Sequence, residues 1–137
     1  LSGSSKVKLQ TVKLAVGAVY YADRTYKIKS VPSYLANTSF IKAANDDKIN
    51  TQNTFLTFKV SRASTVYVAY DPRAKKLPTW LQGFTKVSEQ LGIDDPKLAG
   101  MNLYKKDYAA GTISVGGNLS GSATGALCQY ILIVKEN

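Results

Sequence analysis

The chain has 137 residues, of which 45% are hydrophobic and 20% charged, and its 18 basic and 9 acidic residues give a formal net charge of +9. These numbers predict one globular domain and exclude a highly charged, disordered chain. Histidine is absent, which excludes Ser-His and Cys-His nucleophile pairs and most zinc sites. Cys128 is the single cysteine, so an internal disulfide is excluded as well.

The N-terminal stretch divides into two parts. Residues 1–5 are small and polar, as in a tag or linker remnant, and the single domain is predicted to cover residues 6–137. Residues 6–16 alternate between apolar and polar side chains and predict the first strand, with a bulge near Gln10. No apolar run reaches the ~20 residues that a membrane-spanning helix needs, so no membrane span is expected.

Short alternating segments, separated by turn residues, recur along the rest of the chain without a sustained helical period. They predict an all-β fold, an antiparallel β-sandwich (jelly-roll or Ig-like) with eight to ten short strands. Residues 54–60 and 65–70 are predicted to pair as a hairpin, and residues 88–100 are expected to be irregular. Residues 127–134 are apolar on both faces and predict a central strand in which Cys128 is buried. The other predicted strands cover residues 26–31, 39–43, 84–87, 101–105 and 112–115.

The stretch from Thr65 to Trp80 combines a strand with features of a binding surface. The strand ends at Asp71, because the proline that follows lacks the N–H that a ladder needs. A basic loop containing Arg73 comes next, and the chain then turns into the only tryptophan, Trp80. A rigid strand therefore delivers charged side chains and a large flat ring to one place, which we interpret as the candidate functional surface.

Rings and polar groups together suit a sugar, because its C–H face stacks on a ring while its hydroxyls bind carboxylates, amides and guanidinium groups. A packing role is the alternative: Trp80 then fills one end of the sandwich core, and Asp71 starts a turn through its side chain. The candidate rings are Trp80, Tyr70, Tyr20, Tyr21 and Tyr104, and the candidate polar groups are Asp71, Arg73, Asn118 and Asp23. Residues 20–24 are expected to form a loop or strand edge with exposed aromatic rings.

The chain resembles an accessory β-sandwich domain that is appended to secreted bacterial polysaccharide-degrading enzymes and surface proteins. Four phrases between Val16 and Asn118 carry the resemblance: VGAVYYADRTYKIKSVPSYLANTSFIKAANDDK, FLTFKVSRASTVYVAYDPRA, LPTWLQGF and NLYKKDYAAGTISVGGN. The resemblance implies a non-catalytic unit, similar to carbohydrate-binding modules, in a secreted or cell-surface protein. It does not identify the glycan.

Other ligands are less well supported by the residues. The acidic pairs at 46–47 and 94–95 lack the spacing of a calcium loop, so no cofactor is expected, and the sequence gives no support for a structural calcium. The positive charge favours an acidic partner or serves solubility alone. The basic residues do not cluster and no nucleic-acid-binding motif is present, so nucleic acid is not the expected partner.

Two functions remain in competition. The first is a non-catalytic accessory module of an exported protein that binds a poly- or oligosaccharide, acidic ones included, through loop aromatics. The second is a structural or surface-assembly subunit that associates with itself or with other proteins by pairing edge strands, residues 6–16 among them. An enzyme is not expected, because no nucleophile pair or metal motif is visible.

Overall fold

The computed structural model describes residues 2–3 and 11–137. Over these residues the chain forms ten strands and three short 3-10 turns, and no α-helix. No helix in the described ranges is long and apolar enough to cross a membrane. The strands are Ser2–Gly3 (β1), Thr11–Lys13 (β2), Ile28–Ser30 (β3), Ser39–Ile41 (β4), Leu56–Val60 (β5), Ser64–Tyr70 (β6), Thr85–Asp95 (β7), Leu98–Tyr108 (β8), Gly111–Val115 (β9) and Ile131–Glu136 (β10).

The strands form two antiparallel sheets. Seven strands make the larger sheet, in the order β2-β4-β10-β6-β8-β7-β3, and three make the smaller sheet, in the order β1-β5-β9. The predicted all-β antiparallel sandwich is therefore confirmed. Residues 6–10 of the strand predicted at 6–16 lie outside the described residues, and Ser2–Gly3, within the predicted linker, pairs with Lys59 and Phe58 of β5.

Strand β6 lies at the centre of the molecule, and all seven of its residues are buried. Its side chains alternate between two apolar clusters: Val66, Val68 and Tyr70 belong to one, which includes the smaller sheet, and Tyr67 and Ala69 belong to the other. The sheet therefore has an apolar core on each face, because successive side chains of a strand point to opposite sides. The central strand predicted at 127–134 is confirmed as β10, although it begins only at Ile131.

The predicted hairpin between residues 54–60 and 65–70 is wrong. Strand β5 pairs with β1 and β9, whereas β6 pairs with β10 and β8 in the other sheet. Leu56, Phe58 and Val60 on the inner face of β5 share one buried cluster with the Val66 side of β6. The two strands meet face to face across the core rather than edge to edge, since each carries an apolar face that burial stabilises.

Residues 88–100 are regular, contrary to the prediction. Strands β7 and β8 form a hairpin whose arms run without interruption to a turn at Pro96 and Lys97. The pairing register shifts twice, between Lys86 and Gln90 and again between Gly92 and Asp95. These shifts disturb the apolar–polar alternation that makes a strand recognisable in sequence.

Candidate functional site

Most of the residues predicted to bind a ligand meet around one segment, residues 127–130, which leads into β10. This segment has no strand partner, so its backbone polar groups need other hydrogen-bonding partners. Side chains supply them: the Tyr21 hydroxyl donates to the Gln129 carbonyl at 2.5 Å, and the Asn45 amide oxygen accepts from the Gln129 N–H at 3.0 Å. The predicted residues thus lie together because the backbone of residues 127–130 needs side chains as hydrogen-bonding partners.

Asn118 has the most contacts with this segment. Its side chain is fully buried; its Nδ2 donates to the carbonyls of Cys128 at 2.9 Å and Lys48 at 3.1 Å, and its Oδ1 accepts from the Tyr130 N–H at 3.1 Å. The Tyr70 hydroxyl donates to the backbone carbonyl of Asn118 at 2.6 Å. The amide of Asn118 therefore connects three parts of the chain, and these three hydrogen bonds all go to the backbone.

Asp71 and Arg73 form an ion pair, with Nη2 of Arg73 2.8 Å from Oδ2 of Asp71. Asp71 also accepts hydrogen bonds from the N–H groups of Arg73 and Leu127, at 2.9 and 2.8 Å, and its carbonyl closes a turn to Ala74. The predicted turn at Asp71 is present. Burial alone would raise the pKa of this carboxyl, but the Arg73 side chain and the two backbone donors hold it below the ordinary value.

Tyr20, Tyr21 and Tyr70 are almost completely buried. The expectation that the pair at 20–21 is exposed is wrong, because the loop that carries it closes one face of the larger sheet, where both rings join the buried cluster around Tyr67. The two rings pack edge to face with centroids 4.5 Å apart. None of these three residues offers a ring face to solvent, so ligand stacking on them requires the core to open.

A cavity of about 340 Å³ lies beside the same segment and is lined by Arg24, Lys48, Arg73 and Lys97, among others. Its cations face many carboxylates: Arg73 pairs with Asp71, and Arg24 pairs with Asp23 and Asp46. The four cations that line the cavity share this end of the sandwich with six carboxylates, so the cavity has little net attraction for an anion. The acidic residues at this end are Asp23, Asp46, Asp47, Asp71, Asp94 and Asp95.

Cys128 is buried beside this cavity, as predicted, and Nη2 of Arg73 lies 3.2 Å from its sulfur. Burial raises the pKa of the thiol, and the nearby Asp71 raises it further against the opposing effect of Arg73. We expect native protein at pH 8 to react with 5,5′-dithiobis(2-nitrobenzoic acid) at least about tenfold more slowly than unfolded protein. Equal rates, followed by absorbance at 412 nm, would show that the thiol is accessible.

Trp80 lies in a 3-10 turn, Thr79–Leu81, at the margin of the sandwich. Its Nε1 donates to the Gly117 carbonyl at 2.9 Å, and its ring packs edge to face on Tyr130 and Phe84, with centroids 5.0 and 6.0 Å away. The indole is partly buried against the core beside the smaller sheet. It therefore has a packing role, as in the alternative interpretation, while part of its surface stays exposed.

The row of rings that begins at Trp80 continues outward over the β7–β8 hairpin. The Phe84 and Tyr108 ring centroids are 6.4 Å apart, and the Lys106 ammonium lies 5.9 Å from the first and 5.2 Å from the second. An ammonium at this distance from a ring centroid is attracted by the negative face of the ring. The chain thus presents a mixed aromatic and cationic strip next to Trp80.

This strip borders a part of the larger sheet that the smaller sheet leaves uncovered. On β7 and β8, Lys86 lies opposite Tyr104 and Gln90 lies opposite Asn102, with an amide hydrogen bond of 2.7 Å between the latter two side chains. All of these side chains are exposed or partly exposed. We call this surface the open face; it comprises Lys86, Gln90, Asn102, Tyr104, Lys106 and Tyr108.

Neutral donors and cations make up the open face. Burial raises the pKa of Tyr104 and of Tyr108, so both hydroxyls remain protonated donors at neutral pH. Asp107, the nearest carboxylate in sequence, alternates to the other side of the strand, where it accepts a hydrogen bond from the Thr65 hydroxyl at 2.7 Å. The six residues therefore offer rings, amides and ammonium groups, and no acceptor carboxylate.

Comparison with solved structures shows where this fold is found. It occurs in carbohydrate-active enzymes. The chain is similar to part of a β-glucuronidase from glycoside hydrolase family 2, with a TM-score of 0.81 and 22% sequence identity over 98% of this chain. It is also similar to part of a glycoside hydrolase family 138 enzyme targeting pectin rhamnogalacturonan II, with a TM-score of 0.65 and 17% identity over 93% of this chain.

At these identities the similarity shows the fold alone. The chain spans 14% and 16% of the lengths of the two enzymes, so it corresponds to one part of each. No protein-family model and no curated protein sequence matches it.

The acidic pairs considered for calcium have other partners. Oδ1 of Asp94 accepts from the Lys27 N–H at 2.6 Å, Oδ1 of Asp95 accepts from the Lys97 N–H at 2.8 Å, and Asp46 pairs with Arg24. Among residues 2–3 and 11–137, no group of three or more acidic or cysteine side chains is placed to hold a metal ion.

Sequence reasoning named Tyr104, which belongs to the open face, and Trp80, which lies next to it. It missed the other five residues of the open face. A usable signal was present on β8, where Asn102, Tyr104, Lys106 and Tyr108 follow one another at every second position. Such spacing places all four on one side of a strand. Gln90 on β7 was hidden, because residues 88–100 were expected to be irregular, and the predicted strand at 84–87 gave no sign that Lys86 pairs with Tyr104.

Proposed function

We propose that this domain is a non-catalytic accessory module of an exported, carbohydrate-active protein and binds a poly- or oligosaccharide along the open face. The observation that carries the proposal is the grouping of Tyr104 with Lys86 opposite it and Lys106 two residues along the same strand, with the Gln90–Asn102 amide pair beside them. The occurrence of the fold within two glycoside hydrolases supports a place in such proteins.

The chemistry of the open face suits an extended sugar chain. A partly exposed ring such as Tyr104 can receive the C–H face of a pyranose, and side-chain amides can exchange hydrogen bonds with its hydroxyls. The groups lie along two paired strands, so their surface is elongated rather than enclosed. An elongated surface favours a polymer, since several sugar units can then bind at once and each contributes to the affinity.

The proposal excludes catalysis by the open face itself. Glycoside hydrolysis ordinarily needs two carboxyl groups on either side of the bond that is cut. The open face has none, and Asp107 lies on the reverse side of β8 with its carboxylate bound by Thr65. The carboxylates at the other end of the sandwich are bound by Arg24, Arg73 and backbone N–H groups.

Replacing Tyr104 with alanine tests the proposal. We expect the dissociation constant for a bound polysaccharide to rise about tenfold. The variant loses the stacking contact between the Tyr104 ring and one sugar, and about 1.4 kcal/mol corresponds to a tenfold change. Affinity gel electrophoresis with xylan, glucomannan and polygalacturonate in the gel gives the constants. Circular dichroism confirms that the variant is folded.

Tyr34→Ala is the matched control, since Tyr34 is partly exposed on the opposite side of the larger sheet, where it hydrogen bonds Glu89. It should migrate as the unaltered protein does. The proposed function is wrong if no polysaccharide retards the unaltered protein, or if the two tyrosine variants lose affinity equally.

A further inference from the structure

We infer that the open face selects acidic polysaccharides, with Lys86 and Lys106 binding carboxylate or sulfate groups of sugars that stack on Tyr104. This inference rests on the proposed function and adds the class of ligand. It depends on three features of the structure: where the acidic residues are, whether the two lysines have partners, and how the lysines stand relative to the ring.

The acidic residues all lie away from the open face. Six of the nine are at the end of the sandwich that holds the cavity, and Asp107 is bound by Thr65. Glu89 accepts hydrogen bonds from Tyr34 and Ser88 on the reverse side of the sheet, and Glu136 pairs with Arg62. Among residues 11–137 the carboxylates are therefore concentrated at the cavity end, whereas the open face carries two lysines and no carboxylate.

The two lysines keep their charge available for a ligand. Neither forms an ion pair with a residue in the range 11–137, where the four ion pairs are made by arginines. Lys106 is held over the rings of Phe84 and Tyr108, which orders the ammonium without neutralising it. An anionic ligand can thus gain two cation contacts without first breaking an internal salt bridge.

The spacing of the lysines matches a sugar that stacks on the ring. Lys86 is directly opposite Tyr104, where side chains stand about 5 Å apart, and Lys106 is two residues along the same strand, about 7 Å away. The two lysines are therefore neighbours of Tyr104 in the sheet, Lys86 on the paired strand and Lys106 on the same strand. A uronate or sulfated sugar stacked there can direct its anionic substituent towards either one, whereas a neutral sugar gains nothing from them.

The experiment compares a charge-matched pair of double variants. Lys86→Gln with Lys106→Gln removes two charges from the open face, and Lys29→Gln with Lys59→Gln removes two exposed charges from other strands. Both lower the net charge equally, so any difference comes from position. The probes are polygalacturonate, alginate and chondroitin sulfate, with highly methyl-esterified homogalacturonan as the uncharged counterpart of the first.

We expect the unaltered protein to bind at least one acidic polymer, and more weakly as salt rises from 50 to 300 mM, because salt screens exposed charges. The open-face double variant should lose about tenfold in affinity for that polymer at low salt, since each exposed ion pair contributes modestly and several sugars are held together. The control double variant should change less than twofold, and binding of the esterified polymer should be unaffected by either.

The possible failures are distinct. If acidic and esterified polymers bind equally well, or if the two double variants lose the same affinity, the selection of acidic ligands is wrong, while a loss on Tyr104→Ala still supports glycan binding. If neither the acidic and esterified polymers nor neutral xylan and glucomannan bind, the proposed function is wrong, and the inference about acidic ligands is then wrong as well.

Discussion

Replacing Asn118 with alanine is expected to lower the free energy of unfolding by about 3 kcal/mol, because two buried backbone groups and one partly buried backbone group lose their hydrogen bonds at once. The cost per group is about 1–3 kcal/mol when no water can replace the partner. The affected groups are the carbonyl of Lys48 and, in the segment before β10, the carbonyl of Cys128 and the N–H of Tyr130. Urea unfolding followed by tryptophan fluorescence measures the loss.

Asn53→Ala provides the comparison, since Asn53 is exposed in the loop before β5. It should change the free energy of unfolding by less than about 0.5 kcal/mol. If Asn118→Ala is as stable as Asn53→Ala but loses affinity for a glycan, the amide serves a ligand and not the fold. We expect the reverse: the altered protein, where still folded, should bind polysaccharide as tightly as before.

The second large effect is expected at Asp71. Asp71→Ala removes a fully buried carboxylate and leaves the Arg73 guanidinium and the Leu127 N–H without their partner. Breaking a buried ion pair typically costs 3–5 kcal/mol, and since the Arg73 side chain is 31% exposed we expect about 2–3 kcal/mol. The same urea titration measures it. The matched control is Asp46→Ala, which breaks a surface pair with Arg24 and should cost less than about 1 kcal/mol.

The contribution of Asp71 should depend on pH in a defined direction. Its pKa is lower in the folded protein than the ~3.9 of an unfolded chain, so around and below pH 4 the unfolded state binds more protons. The stabilisation is therefore complete above about pH 5 and decreases as pH falls towards the folded pKa. The difference in unfolding free energy between the unaltered protein and Asp71→Asn should shrink from pH 6 to pH 3. A constant difference would show that the carboxylate charge is not what stabilises the loop.

Both variants concern residues that the sequence marked as ligand-binding. The stretch from Thr65 to Trp80 was correctly interpreted as a strand, a turn at Asp71 and a loop leading to the tryptophan, because proline and aspartate act locally. The same stretch could not show what the polar groups at its end bind. Their partners, such as Leu127 and Cys128, lie more than fifty residues away and are reached only through the fold.

The sequence also could not predict which tyrosine side chains are exposed to solvent. Tyr20 and Tyr21 lie among turn residues and were expected at the surface, yet they are buried; Tyr104 lies in a strand and is partly exposed. A local pattern shows which side chains share a face of a strand, and it does not show whether another layer covers that face. The smaller sheet covers β6 and β10 but leaves part of β7 and β8 open, and this decides which ring can meet a ligand.

The sequence by itself determined that this protein is all-β, where most strands lie, that β10 is central, and that Cys128 is buried without a disulfide partner. These properties follow from alternation, apolar runs and composition, which act over a few residues. Only the tertiary structure decided that β5 and β6 belong to different sheets, that Asn118 and Asp71 support the segment before β10, and that Lys86 lies opposite Tyr104. Each of these three features depends on contacts between residues that are distant in sequence. Such contacts form only where the burial of apolar surface offsets the loss of conformational entropy of the chain.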